Sequence, residues 1–368
     1  MLGVYIHIPF CRRRCNYCDF CSSVSSCTAI GEYVAALIKS IDAFGDEQMP
    51  ADTVYLGGGT PSLLSAEEMS AILDAVRRKF QPTNDCEITT EANPCTVTPE
   101  LLRAYKSAGI NRISFGIQSC KPNELETLGR LHTFEDAEKA VKYAHLAGID
   151  NISADIMLGI PHQTPETLRE TVDRIAVLGV RHISAYMLKI EPDTPFDCDE
   201  IRALIPDDDT VSDMYLDTVE RLSSKGFVQY EISNFSADGF ASRHNLKYWT
   251  GEPYIGFGPS AHSYYNGKRF FVSDDIKSFI TDPLSPAETE DNAPDVLEEY
   301  IMLGLRLSKG ISLDTIRSLG GNTEKLLSAV KPFINAEFAS VKDNNLSLTP
   351  RGFLVSNGII NAIIDSPN

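Results

Sequence analysis

Basic residues are in short supply: 33 lysines and arginines stand against 51 aspartates and glutamates, a formal charge of −18. A general nucleic-acid binder needs the opposite balance to neutralise phosphates. That class is excluded, whereas a small anionic ligand in a local basic pocket is not. Long apolar runs are missing too. No stretch approaches the roughly 18 residues of a membrane span. The start, MLGVYIHIPFC, has neither the basic lead nor the apolar length of a signal peptide. A cytoplasmic address and no transmembrane segment are expected; a peripheral membrane contact stays open. Tryptophan occurs once, as Trp249. Cysteine is better represented, with nine, an odd count. In a reducing compartment such residues are thiols or metal ligands rather than disulfides. The 43% hydrophobic content is that of a globular protein, and the length suits one large domain and a smaller one.

Strand-like runs recur at Val4–Ile8, Thr53–Leu56, Glu87–Thr90, Arg112–Ile117, Asn151–Met157 and His182–Leu188. Amphipathic segments lie between them, among them Ala66–Phe80, Pro99–Ala108, Phe134–Ala147 and Glu166–Leu178. The alternation predicts βα units on a parallel sheet. Six strands fall short of the eight of a closed TIM barrel, so an incomplete (β/α)6 barrel is the expected α/β fold. Its ligand mouth would lie at the strand C-termini, at Gly57–Thr60, Glu91–Pro94, Gln118–Ser119 and Gly159–Pro161. This domain is expected over residues 1–281. DPLSPAETEDNAP, residues 282–294, reads as a linker. Residues 295–368 read as a small winged-helix-like domain: a helix with Leu297, Tyr300, Ile301 and Leu305 on one face, a short helix at Leu313–Leu319, then strand, turn and final helix.

CRRRCNYCDFC, residues 11–21, concentrates four cysteines. Cys11, Cys15 and Cys18 follow CxxxCxxC. A zinc ribbon would need a second CxxC pair, and the remaining cysteines, Cys27, Cys86, Cys95, Cys120 and Cys198, stand singly. Three thiolates on one loop suit three corners of an iron–sulfur cubane and leave one iron open to a small molecule. A closed site with Cys21 as fourth ligand and a zinc site are the alternatives. GGGTPS, Gly57–Ser62, follows the second strand; glycines there let a backbone approach a ligand closely, and a plain glycine turn is the bland reading.

The two motifs together resemble the radical SAM superfamily, in which CxxxCxxC follows the first strand with an aromatic, here Tyr17, before the last cysteine. The resemblance runs through YIHIPFC, YLGGGTPS, TTEANP, RISFGIQS, LGRLHT, ADIMLGIPHQT, HISAYML, YEISNF, HNLKYW and GFGPSAHS, in order, to the coproporphyrinogen dehydrogenase (HemN-like) group. Within it the chain is most similar to the HemW-type haem chaperones. Phe20 stands where the dehydrogenases keep a cysteine, the chain begins at the first strand, and HNLKYW matches the HNxxYW motif associated with haem. The resemblance implies a [4Fe–4S] cluster on Cys11, Cys15 and Cys18 whose open iron chelates S-adenosylmethionine (SAM), with one electron passed into the sulfonium. Tyr5, Tyr17, Gly58 and Glu91 match positions near that SAM; Gly59, Thr60, Gln118, Arg130 and Asp155 match positions assigned to a second one. Glu91 and Asp155 could equally cap following segments, Gln118 could be a core amide, and Arg130 a solvated face.

HNLKYW also implies haem. His244 would be the axial ligand, oriented by Asn245, with Tyr248 and Trp249 lining the macrocycle and Arg243 and Lys247 pairing with propionates. Packing is the bland alternative for a histidine beside two aromatics, and His262 and His7 are rival ligands. The function implied is a haem chaperone, passing haem to an unidentified acceptor protein, with a reductant protein and a homodimer as further partners and no catalytic residue. The alternatives are an oxygen-independent coproporphyrinogen III dehydrogenase and a radical SAM enzyme acting on haem.

Overall fold

The computed structural model describes residues 1–24, 27–45 and 49–365. Six parallel strands stand in chain order: β1 (Leu2–Ile8), β2 (Ala51–Gly58), β3 (Glu87–Ala92), β4 (Arg112–Gln118), β5 (Asn151–Leu158) and β6 (His182–Met187). Each matches a strand expected from the sequence to within two residues at either end. Strands β1 and β6 do not pair, so the barrel is open. A seventh parallel strand, Tyr254–Phe257, lies along the free edge of β1, followed by an antiparallel hairpin, His262–Tyr265 and Lys268–Phe271. The antiparallel strands Asn234–Ser236 and Val228–Gln229 extend the sheet beyond β6.

Each strand has two kinds of neighbour. Leu2, Val4, Ile6 and Ile8 are at most 1% exposed and pack outward under the helices, while the alternate residues Tyr5 and His7 face the interior, as a period of two requires. The helices begin where their caps dictate. Ser65 and Glu68 form a reciprocal capping box on the helix Ala66–Phe80, and Thr133 and Asp136 do so on Phe134–Leu146. Pro99 and Pro165 occupy first-turn positions behind the caps Thr98 and Thr164.

The segment 282–294 is not wholly a connector. Glu288–Asp291 forms an edge strand paired with Lys268–Phe271. After it, the helices Val296–Gly304, Leu313–Ser318 and Thr323–Asn335, the three-stranded sheet of Ile311–Ser312, Ala339–Lys342 and Asn345–Leu348, and the helices Pro350–Leu354 and Ser356–Ile364 make the C-terminal domain. Backbone bonds from Ile232 to Arg306 and from Ser308 to Tyr230, with the Arg269–Glu299 ion pair at 2.5 Å, hold it to the barrel. No helix among the described residues is long and apolar enough to cross a membrane.

Candidate functional site

The cysteine loop is closed at its base. Ser23 donates to Pro9 O at 2.8 Å and Cys11 donates to Ser23 O at 3.0 Å, which draws the two ends of the loop together. At its middle, Asn16 donates from its backbone to Leu128 O at 3.0 Å and from its amide to Thr127 O at 2.9 Å. Gly129, at φ +75°, lies against Asn16, where an added Cβ would come within 3.1 Å of the amide. Two further groups face the thiols: Thr60 Oγ1 stands 3.5 Å from Cys11 Sγ, and Arg130 Nη1 stands 3.4 Å from Cys15 Sγ. Cys11, Cys15 and Cys18 consequently line one central cavity of about 370 Å3. Cys21 does not. Its carbonyl accepts from His7 Nε2 at 2.8 Å, and its side chain turns to a second, lateral cavity beside β1.

The central cavity collects Tyr17, Gly58, Gly59, Thr60, Glu91, Gln118, Arg130, Asp155 and Asn245. Glu91 sits on β3 beside Ser114 of β4, and Asp155 on β5 beside Ser184 of β6. Glu91 accepts from Tyr55 Oη at 2.8 Å and from Gly58 N at 3.1 Å. Burial nevertheless pushes its carboxyl up to about 7, the Tyr55 bond opposing that rise. Asp155 is raised by the same burial, against bonds from Ser184 and Ser114. Gln118 ends β4 at φ +69°, where the ladder shifts register. Its Oε1, with Nε of Arg130 and of Arg112, is buried and finds no hydrogen-bond partner among the described residues, so polar atoms at this cavity remain to be satisfied. Sequence reasoning missed Tyr55, Arg112, Ser114 and Ser184. Their signal was the strand alternation itself, because they are the inward partners of residues that were identified.

The HNLKYW set does not converge. The helix Arg243–Thr250, capped by Ser242, packs under the open barrel. His244 is fully buried, with Nδ1 2.8 Å from Thr53 Oγ1 and Nε2 2.8 Å from Tyr248 Oη. Both ring nitrogens are taken by the protein, and the ring stacks on Tyr55 at 5.2 Å and 28°. In this arrangement it offers no nitrogen to an axial site. Burial first, then the Lys247 and Arg112 charges, lower its pKa to about 3. Asn245 reaches the central cavity and Tyr248 the lateral one, while Trp249 lies under the Arg306 guanidinium at 5.7 Å. Lys247, 3% exposed, is bound by Asp52 at 2.9 Å and Glu252 at 2.8 Å. Arg243 stands 3.7 Å from Asp52 and 3.5 Å from Asp85. The cations expected to meet propionates are matched by carboxylates of the chain itself. Tyr5, expected near SAM, lines the lateral cavity and bonds His7 Nδ1 at 3.0 Å.

Comparison with known proteins places this geometry. Residues 5–175 match the Radical SAM superfamily and residues 292–355 the HemN C-terminal domain. The "Heme chaperone HemW" of Bacillus subtilis is 34% identical, covering 99% of both chains. The chain belongs to the HemW family. The HemW of Escherichia coli is 39% identical over 71% of this chain and 69% of its own. Among solved structures, the coproporphyrinogen III oxidase HemN of E. coli superposes with a TM-score of 0.85, covering 98% of this chain and 89% of its own, at 21% identity. The α/β radical SAM fold with a C-terminal domain is therefore that of this HemW family member, and the superfamily implies a [4Fe–4S] cluster and SAM. The residues present suit both. Among the described residues no three His, Cys, Asp or Glu side chains are drawn together as one metal ion would require. Three thiols spread over one cavity wall suit a cluster, in which each ligates a different iron. The unpartnered Gln118 and Arg130 atoms beside them suit a polar ligand.

Proposed function

We propose that this chain is a haem chaperone: it binds haem and a SAM-coordinated [4Fe–4S] cluster and hands the haem to an acceptor apoprotein. The likeness to the B. subtilis HemW over 99% of both chains carries this reading. Cys11, Cys15 and Cys18 would hold the cluster, because they alone of the loop cysteines face the central cavity. The bound group supplies one-electron chemistry at the SAM sulfonium. The protein's own part is positional. Arg130 sets a positive charge beside Cys15. Glu91, held by Tyr55 and Gly58, offers an acceptor for the amino group of SAM. Thr60, Gly59, Gln118 and Asp155 line the remaining wall, together with Tyr17, whose ring packs against Phe196 at 6.4 Å. A cytoplasmic location is in keeping with the eight described cysteine side chains, all free. An acceptor apoprotein and a reductant protein are the partners proposed, with homodimerisation open to sedimentation analysis.

Anaerobically reconstituted protein, given coproporphyrinogen III, SAM and reductant, with haem titrated in parallel, tests the reading. Saturable haem binding without porphyrinogen turnover is expected. Protoporphyrinogen formation over many turnovers would overturn the chaperone in favour of a dehydrogenase.

A further inference from the structure

Three consecutive arginines on the cysteine loop are left unused by the site described above. Arg12, Arg13 and Arg14 are all exposed. Elsewhere on the surface arginines are met by carboxylates, as Arg77 is by Asp74, Arg174 by Glu138 and Arg317 by Asp314. Among the described residues the loop arginines form no ion pair. Arg12 donates to Cys95 O at 3.4 Å and Arg14 to Cys18 O at 3.1 Å, contacts that place the side chains without neutralising them. Asp19 is the only acid among the first 31 residues. A chain of formal charge −18 therefore keeps a local positive patch, and keeps it on the loop that carries Cys11, Cys15 and Cys18.

The patch is continuous. Arg13, Arg14 and Phe20 stand at the central cavity with the three thiols. Arg12 and Arg13 line a small neighbouring cleft with Leu131 and Cys15. Phe20 is 61% and Leu131 51% exposed. Exposed apolar groups beside unpaired arginines have the composition of a protein contact, in which aromatic and arginine side chains dominate. Three arginines are too few to hold so acidic a chain on an anionic membrane, where polybasic segments carry about four to eight.

We propose that Arg12, Arg13 and Arg14, with Phe20, form the docking face for an acidic one-electron carrier protein of the flavin or iron–sulfur class. The inference rests on the cluster being held by Cys11, Cys15 and Cys18, and names the surface its reductant uses. Electron transfer weakens steeply with distance, so a protein donor must bring its redox centre against this loop. The carrier loses one electron to the cluster; no bond forms or breaks and no proton moves. Redox encounters of this kind bury little surface, and complementary charge speeds them by steering the partners together.

The test uses the anaerobically reconstituted full chain with SAM and photoreduced flavodoxin, an acidic flavin carrier, followed by stopped flow through the flavin semiquinone band. In Arg12→Glu/Arg13→Glu the second-order rate should fall at least tenfold. The wild-type rate should fall as salt is raised, and the variant should lose that dependence or reverse it. Arg12→Lys/Arg13→Lys should keep most of the wild-type rate, because charge does the steering. The methyl viologen radical cation, a small donor with no need of a basic face, should reduce both variants as fast as wild type, and their iron content should be unchanged. A parallel loss with viologen places the effect in the cluster itself and overturns the docking role. A wild-type rate with flavodoxin in the charge-reversed variant overturns it too, as does no transfer from flavodoxin to a wild-type chain that viologen reduces; both leave the cluster reading standing. Cosedimentation of wild type, but not of the charge-reversed variant, with phosphatidylglycerol vesicles overturns it in favour of a lipid surface. Wild-type protein that stays iron-free after reconstitution overturns the cluster reading as well.

Discussion

Nδ1 of His244 lies 2.8 Å from Oγ1 of Thr53, so the helix carrying HNLKYW is fastened to the inner face of β2 by a buried side-chain bond. Removing the ring leaves the Thr53 and Tyr248 hydroxyls without their partner and opens a void. His244→Ala should cost about 2–4 kcal/mol, read as a lower urea midpoint in the apoprotein. The same burial predicts a pH effect. With the folded-state pKa near 3 and the unfolded one near 6.5, the unfolded chain binds the extra proton between those values. Stability from this residue is present above pH 6.5 and is lost as the pH falls towards 3. His244→Ala should flatten that acid limb, and an unchanged slope would refute the burial argument.

Glu91 gives the opposite slope. Its carboxyl is raised from 4.5 to about 7 by burial, so the folded state holds the proton more tightly. The penalty of ionising it is absent below pH 4.5 and complete above pH 7, on the order of 3 kcal/mol. Glu91→Gln removes that penalty. Relative to wild type, the variant apoprotein should gain stability on going from pH 5 to pH 8 in urea titrations. SAM affinity of the reconstituted variant, read by calorimetry, should fall, since the acceptor for its amino group is weakened.

Gly58 stands at φ +109°, and a Cβ there would overlap the His7 ring. Valine or alanine at this position strains the backbone and displaces His7 from the Cys21 carbonyl. Gly58→Val should lower SAM affinity at least tenfold by calorimetry while iron content stays near wild type. In a His7→Ala background the steric part of the loss should disappear and the φ strain remain, so the two effects should be less than additive. Full additivity would place the fault elsewhere.

Iron and acid-labile sulfide after reconstitution should drop in Cys11→Ala, Cys15→Ala and Cys18→Ala and be retained in Cys21→Ala. The basis is the division of the loop between two cavities. Loss confined to Cys21→Ala would reverse the assignment.

Much of the barrel was legible because its local signals agree with one another. The helix Ala66–Phe80 has its expected bounds, set by the Ser65 cap and its amphipathic period, and each of the six barrel strands carries the alternation that an inner polar and outer apolar face demands. The Tyr254–Phe257 strand was not legible: it is four residues long and contains Gly256, and what makes it a strand is the open edge of β1. The residues of the edge strand Glu288–Asp291 are all exposed and mostly acidic, so only pairing with its neighbour marks it.

The same division runs through the site. Sequence alone determined that three cysteines share a loop behind the first strand, that glycines, Glu91 and Gln118 lie at the ends of strands that follow and that Asp155 lies on another, because spacing and period are local properties. Only the tertiary structure decided which way each group faces. Cys21 is three residues from Cys18, yet His7 draws its backbone towards β1 and its thiol into another cavity. His244 stands beside two aromatics in sequence, yet Thr53, 191 positions away, consumes its free nitrogen. Such partners come from distant strands brought together by packing, and no local pattern encodes them.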